Sequence, residues 1–242
     1  MFTFNGKHVT DSSLGVTRYI RTIFSLLPGT RDNALEIAGL DGALDFGREL
    51  QPRNIRAQFL IRRDTPAELF QYARAVAAWL NVREPKQFIY DHEPDKFYLV
   101  RPQGGVSFDR ILVTGGLCDV TFIAHDPYAH AVTPKTVTSF PATNSGTLPT
   151  PCIITATIAA ETDSLKVTLA ETGKYIKLAR ELEADDEIYI DTGQRFIAVN
   201  GVDARGDVTF ESTWFMLPRG EFTLNADPES TELKITFRER WI

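Results

Sequence analysis

Three observations predict a mainly β protein built from two modules. Short runs alternate apolar and polar residues, turn signals separate them closely, and only one segment carries helical periodicity. The residues 119–124 (Asp-Val-Thr-Phe-Ile-Ala) read as a half-buried strand that stops at His125-Asp126-Pro127-Tyr128-Ala129. Pro127 has no N–H for a sheet ladder and pushes Asp126 toward extended backbone, so pairing should end there. A Thr-, Ser- and Pro-rich stretch follows, and Asn144-Ser145-Gly146-Thr147 opens a new run of strands. The seam lies across residues 126–151, and a cut near 136 gives modules 1–136 and 137–242, both of ordinary domain size.

In the first module, residues 1–7 form a short strand with Phe2 and Phe4 on one side, closed by Asn5-Gly6. Residues 16–27 are apolar with Arg18 and Arg21 interspersed, and end at the turn pair Pro28-Gly29. Residues 34–37 make a further strand, Gly39-Leu40-Asp41-Gly42 bends the chain, and residues 54–62 return as its partner. This predicts a hairpin with a long, glycine-punctuated tip at 38–52. Along the return strand, Arg53, Arg56, Arg62 and Arg63 set against Ile55, Phe59 and Ile61 suggest one charged face and one apolar face.

One helix is expected, at 65–82. Thr65-Pro66-Ala67-Glu68 is a capping box: the Thr65 hydroxyl accepts from the third helical N–H, and Pro66 suits the first helical position. Leu69, Tyr72, Val76, Trp79 and Leu80 then recur at helical spacing, a stripe that packs on a sheet, and Pro85 stops continuation. Strands at 88–90 and 97–100 flank the acidic turn 91–96. In the second module Leu165, Val167 and Leu169 alternate with Lys166 and Thr168. Ile188 and Ile190 flank Tyr189, residues 196–199 run into the hairpin pair Asn200-Gly201, and Leu233, Ile235 and Phe237 alternate with Lys234, Thr236 and Arg238. Many short alternating strands in about 100 residues argue for a β-sandwich.

Composition narrows the function classes. Hydrophobic residues make up 43% and charged residues 24% of 242, ordinary for a globular protein. The first module carries 16 Lys+Arg and 15 Asp+Glu, a net of +1, and the second 10 and 17, a net of −7. A near-neutral module and an acidic one are poorly suited to gripping nucleic acid, although a passive conduit for DNA remains compatible. Cys118 and Cys152 form no metal spacing and read as buried free thiols. The N-terminus lacks a signal-peptide layout, and no apolar run reaches the roughly 20 residues of a membrane span, so a protein kept in the cytosol or released by lysis is expected.

No catalytic motif emerges. Asp91, Glu93 and Asp95 occupy the first three ligand positions of a calcium loop, but the sixth is Lys96 instead of Gly and the twelfth Pro102 instead of Glu. His125 and His130 lack a third metal ligand at a useful interval. Residues 42–49 echo a phosphate loop without its Lys and Ser/Thr. No cofactor and no metal are therefore expected. Tyr175, Tyr189, Trp214 and Phe215 offer aromatic surface for sugar stacking, although aromatics in a sandwich usually build the core.

Several signatures then fall in one order: Phe4-Asn5-Gly6-Lys7, the 39–42 bend, the 65–82 helix and Asp95-Lys96-Phe97-Tyr98. Val120-Thr121-Phe122 leading into Asp126-Pro127-Tyr128-Ala129, Asn144-Ser145-Gly146-Thr147 and Pro149-Thr150-Pro151 follow. Together they resemble the distal tail proteins of bacteriophages with long, non-contractile tails, over essentially the whole chain. The resemblance implies a non-enzymatic virion protein of the tail tip. Its first module, a β-sandwich with a helix and a hairpin arm at about 34–60, would close into a homohexameric ring. Its second would be a galectin-like or jelly-roll sandwich. The implied partners are the tail tube protein, a tail-associated fibre or lysin protein and receptor-binding proteins, with DNA passing through unbound and no membrane insertion. Gly39, Asp41, Gly42, Arg53 and Arg56 are the arm residues so mapped. Two other readings compete: a carbohydrate-binding module contacting the cell wall through Tyr189 or Trp214, and a hydrolase on a sandwich scaffold, which needs two facing carboxylates.

Overall fold

The computed structural model describes residues 1–39 and 41–242. It is mainly β, with one α-helix and antiparallel pairing in each assigned strand register. The chain divides into two compact units, Met1–Ala129 with Ile242, and His130–Trp241.

The first unit contains β1 (Phe2–Phe4), β2 (Lys7–His8), β3 (Val16–Phe24), β4 (Thr30–Leu35), β5 (Leu44–Leu50), β6 (Arg53–Arg62), α1 (Pro66–Leu80), β7 (Lys86–Tyr90), β8 (Glu93–Pro102), β9 (Ser107–Leu112) and β10 (Gly115–Ala124). Its main sheet runs β2-β1-β7-β8-β10-β6-β3. β10 pairs with β6 along its whole length, and its other side meets β9 at one end and β8 at the other. The alternation in β6 buries Ile55, Ala57, Phe59 and Ile61, and that in β10 buries Cys118, Val120, Phe122 and Ala124. These side chains join a cluster of rings. Phe2 stacks on Phe88 at 4.7 Å between centroids, and Phe122 lies 4.8 Å from Phe4 and 5.3 Å from Phe88.

Helix α1 closes this core. The Thr65 hydroxyl accepts from the Glu68 N–H at 3.3 Å and Pro66 is the first helical residue. Leu69, Val76, Trp79 and Leu80 are buried. Trp79 sits edge-on to Phe4, and its Nε1 donates to the Phe4 carbonyl at 2.8 Å, which satisfies the one polar atom it brings into the core. The turn before β3 requires glycine at position 15. Its φ is +64°, and a Cβ there would fall 2.2 Å from Arg63 and 2.3 Å from Tyr72, whose ring the Arg63 guanidinium covers at 4.0 Å.

Two expectations about the 34–62 region are corrected. Residues 34–37 do not pair with 54–62: β4 pairs with β5, Thr30 opposite Leu50 and Leu35 opposite Leu44, while β6 lies between β10 and β3 in the main sheet. The buried alternation of β6 draws it into the core, and β5, exposed almost throughout, is left as the partner of β4. Arg53 is not part of a charged face. It shares the parity of Ile55 and Phe59 and is 1% exposed. Its Nε donates to the Pro127 carbonyl at 3.0 Å, its Nη1 donates to the Ser25 carbonyl, and the guanidinium lies 5.3 Å from the Tyr98 ring centroid. Backbone carbonyls and an aromatic face thus replace part of the water this cation loses, while its Nη2 is buried without a hydrogen-bond partner.

β11 (Ala129–Ala131) spans the division between the units. The second unit continues with β12 (Lys135–Val137), β13 (Ala142–Asn144), β14 (Cys152–Thr157), β15 (Thr162–Leu169), β16 (Lys174–Leu182), β17 (Glu187–Asp191), β18 (Phe196–Val199), β19 (Val202–Asp203), β20 (Gly220–Phe222), β21 (Leu224–Asp227), β22 (Glu232–Phe237) and β23 (Arg240–Trp241). A six-stranded sheet β12-β22-β14-β17-β18-β19 and a three-stranded sheet β16-β15-β21 share one core, with the β13-β20 pair alongside. That core is largely aliphatic: Ile154, Ile190 and Ile235 from the larger sheet join Val167, Ile176 and Leu178 from the smaller.

Candidate assembly surfaces

The β4–β5 ribbon is exposed along most of its length. Among the described residues it pairs with no third strand. Leu35, Ile37, Leu44 and Phe46 are exposed on or beside it, Phe46 to 66%, and Arg31 forms an ion pair with Glu49 across its strands. A lone two-stranded ribbon is marginal in water, and apolar side chains along it gain by being covered. Between its strands Gly39 and Gly42 have φ of +86° and +88°, a left-handed backbone that favours glycine, and Asp41 is exposed. Leu40 lies outside the described residues. At its root Gln51 donates to the Gly29 carbonyl at 2.7 Å, and Leu26 beside it is 88% exposed.

Arg53 and Arg56, expected on the arm, sit instead on β6 in the main sheet. Arg56 points away from the core and forms a bidentate pair with Asp119 of β10, which also accepts from Gln58 Nε2 at 2.8 Å. The Arg56 hydrogen bond holds the Asp119 carboxyl below its ordinary pKa, against a smaller opposing effect of burial. The same sheet offers two open borders. Among the described residues β3 pairs with β6 on one side and with no strand on the other, and β9 pairs with β10 alone. Exposed Ile20 and Ile23 line the first border, and Ile111, Leu112 and Val113 follow the second. The sequence reading did not single out these residues or Leu26. The alternation Leu44-Asp45-Phe46 between two glycines was the available signal for the ribbon.

The turn read as an incomplete calcium loop is held by its lysine: Lys96 Nζ lies 3.2 Å from Glu93 and 3.4 Å from Asp95. Among the described residues no group of three or more His, Cys, Asp or Glu is arranged to hold a metal. The 42–49 segment runs into β5 and not into a helix N-terminus, so it offers no phosphate cradle. In the second unit Tyr189 lies on the outward side of β17, in one cross-strand row with Thr155 and Lys234, and its ring is 6.4 Å from Phe196. Trp214 is half-buried and packs against the aliphatic core, and Phe215 is buried within it.

Comparison with known proteins agrees in both halves. Residues 10–124 match the model of the phage tail protein RIFT-related domain, and residues 145–241 that of the siphovirus-type tail component, C-terminal domain. The distal tail protein of Bacillus phage SPP1 is 25% identical over 249 aligned residues, covering 99% of this chain and 94% of the relative. The crystal structure of the SPP1 Dit protein, described as a paradigm of the hub adsorption apparatus in phages infecting Gram-positive bacteria, superposes with a TM-score of 0.83 over 100% of both chains, at 18% identity in that superposition. A chain of the phage P2 baseplate in its activated conformation superposes at a TM-score of 0.48 over 92% and 90% of the two chains, with 10% identity. With matching models on both halves and a distal tail protein aligned end to end, the chain belongs to the siphophage distal tail proteins, structural components of the phage tail tip and not enzymes.

Proposed function

We propose that this protein is the ring-forming hub of its tail tip: six copies of the first unit close around a bore, join the tail tube above to a fibre or lysin protein below, and leave a channel for DNA. The observation that supports this best is the uncovered β4–β5 ribbon with its apolar Leu35, Ile37, Leu44 and Phe46. A closed ring needs a heterologous contact, in which one patch meets a different patch on the next copy. A ribbon and two open sheet borders supply unlike patches of that kind, and open strand borders pair readily with added strands. The SPP1 relative carries the description of an adsorption hub, which supports the same role. The native mass by light scattering, with an electron micrograph, tests the reading. A ring of about six copies is expected, and the Leu35→Asp/Phe46→Asp variant should remain folded but monomeric. A monomeric native protein that fails to enter tail tips would refute it.

A second reading concerns the second unit. Beside the Lys234–Thr155–Tyr189 row lies an open groove of about 970 Å³, lined by Thr155, Thr157, Glu232 and Lys234 among others. Hydroxyls and charges beside an aromatic ring suit a polyhydroxylated ligand such as cell-wall carbohydrate. Binding on a glycan array that is lost in Tyr189→Ala would establish it. Because Trp214 packs against the core, Trp214→Ala is expected to report on stability more than on sugar.

A further inference from the structure

The outward side of the first unit's sheet carries arginine in row after row. Arg18 stands opposite Leu60, Arg21 opposite Gln58, Arg56 opposite Thr121, and Arg101 opposite Ile123, and directly opposed residues share a face. Arg62 continues the outward parity of β6. All five are exposed. Acids on this face include Asp119, engaged by Arg56, Asp109, opposite Leu117 on β9, and Asp95, which shares the parity of Arg101 on β8 and is held by Lys96. Met1–Ala129 as a whole carries 15 Lys+Arg and 15 Asp+Glu, so the unit is neutral. Five of its 15 cations thus share one face of the sheet.

His130–Trp241 is the opposite case, with 11 Lys+Arg against 17 Asp+Glu. Its densest acidic element is the turn from β16 into β17, where Glu181, Glu183, Asp185 and Glu187 are exposed within seven residues. The turn is shaped before any partner arrives. Asp186 accepts from the Glu183 N–H at 2.9 Å and from Asn200 Nδ2 at 2.7 Å.

We infer that the arginine face of the first unit receives the acidic β16–β17 turn of a second copy. This inference rests on the ring reading and adds a named contact to it. The contact is heterologous, as closure requires, and complementary in charge, which fixes register and speeds encounter. A protein partner fits this face better than nucleic acid does. Half-buried Leu60, Leu117 and Ile123 are interleaved with the arginines, among the described residues this face exposes no aromatic to stack on a base, and a chain of net charge −6 repels a polyanion.

The test is charge reversal on the full chain, read by analytical ultracentrifugation with circular dichroism to verify folding. Self-association should weaken with rising salt. Arg18→Glu/Arg62→Glu, two exposed side chains, should weaken it about tenfold or more, and so should Glu181→Lys/Glu183→Lys, while combining the two pairs should restore it. Folded single-pair variants that associate as tightly as the native chain would overturn the contact while leaving the ring intact. A native monomer at every concentration would remove both. Loss without restoration in the combined protein would also overturn the contact. Duplex DNA bound at about physiological salt through Arg18 and Arg62 would overturn it in favour of a nucleic-acid surface.

Discussion

The two units bury their apolar residues by different means. The first stacks Phe2, Phe4, Phe88 and Phe122 beneath one helix, while the second layers Ile, Leu and Val between two sheets. They differ more at the surface. Among the described residues of the second unit, Val202, Phe210 and Met216 are its exposed large hydrophobics, whereas the first exposes Ile20, Ile23, Leu26, Leu35, Phe46 and Ile111 among many others. Scattered exposed apolar side chains are ordinary, but a ribbon and two open borders lined with them mark surfaces that gain by association. The second unit is acidic and, among its described residues, leaves only these three large apolar side chains exposed. The first unit therefore carries the apolar surfaces that gain by being covered, and the second offers charge and polar groups.

The largest expected effects probe the two cores. Phe122→Ala should cost about 3–5 kcal/mol in chemical denaturation, because a fully buried ring touching three others leaves a large void. Phe222→Ala should cost a similar amount in the second unit, where Phe222 is buried beside Phe237. If Phe122→Ala proves nearly neutral, the contrast between an aromatic and an aliphatic core has no energetic content. Next comes the helix: Thr65→Ala removes its N-cap acceptor and should cost about 1 kcal/mol, with Thr65→Ser restoring most of it.

A smaller effect concerns the outward face. The folded Asp119 carboxyl titrates below its unfolded value, chiefly through Arg56, so its contribution to stability is present above about pH 4 and is lost as pH falls through the folded value. Asp119→Asn should flatten that part of the stability profile below pH 4 and leave the rest unchanged. The smallest expected effect is none at all. Burial pushes the Cys118 and Cys152 thiols up to about 12, so neither should be alkylated at neutral pH until the chain is denatured. Rapid labelling of either thiol in the native protein would show that its unit opens far more readily than the packing implies.

Much of this was legible in the chain. The capping box placed the start of α1 to within one residue, and of the stripe Leu69, Tyr72, Val76, Trp79 and Leu80 all but half-buried Tyr72 are buried, because a helix repeats every 3.6 residues whatever it packs against. The alternations in β10, β15 and β22 were equally readable, since a strand turns every second side chain inward. The β9–β10 hairpin was missed in its first half: residues 107–112 carry no clean alternation, and Gly116 there makes way for the Phe108 ring.

Pairing is what local patterning does not specify. Among the described residues, 30–62 contains β4, β5 and β6, and nothing local to 34–37 states whether its partner is β5 or β6. That choice follows from which strand β10 and β3 recruit into the sheet, a contact made more than fifty positions away on one side. Arg53 shows the same division within one residue. Its parity with Ile55 already placed it on the inward side, but only the convergence of the Ser25 and Pro127 carbonyls and the Tyr98 ring makes a buried guanidinium tolerable. Periodicity, capping and turn chemistry act over a few residues, so the sequence alone determined the class of the fold and most of its elements. Strand partnership, the uncovered ribbon and the arginine face arise from residues far apart in the chain, and only the tertiary structure decided them.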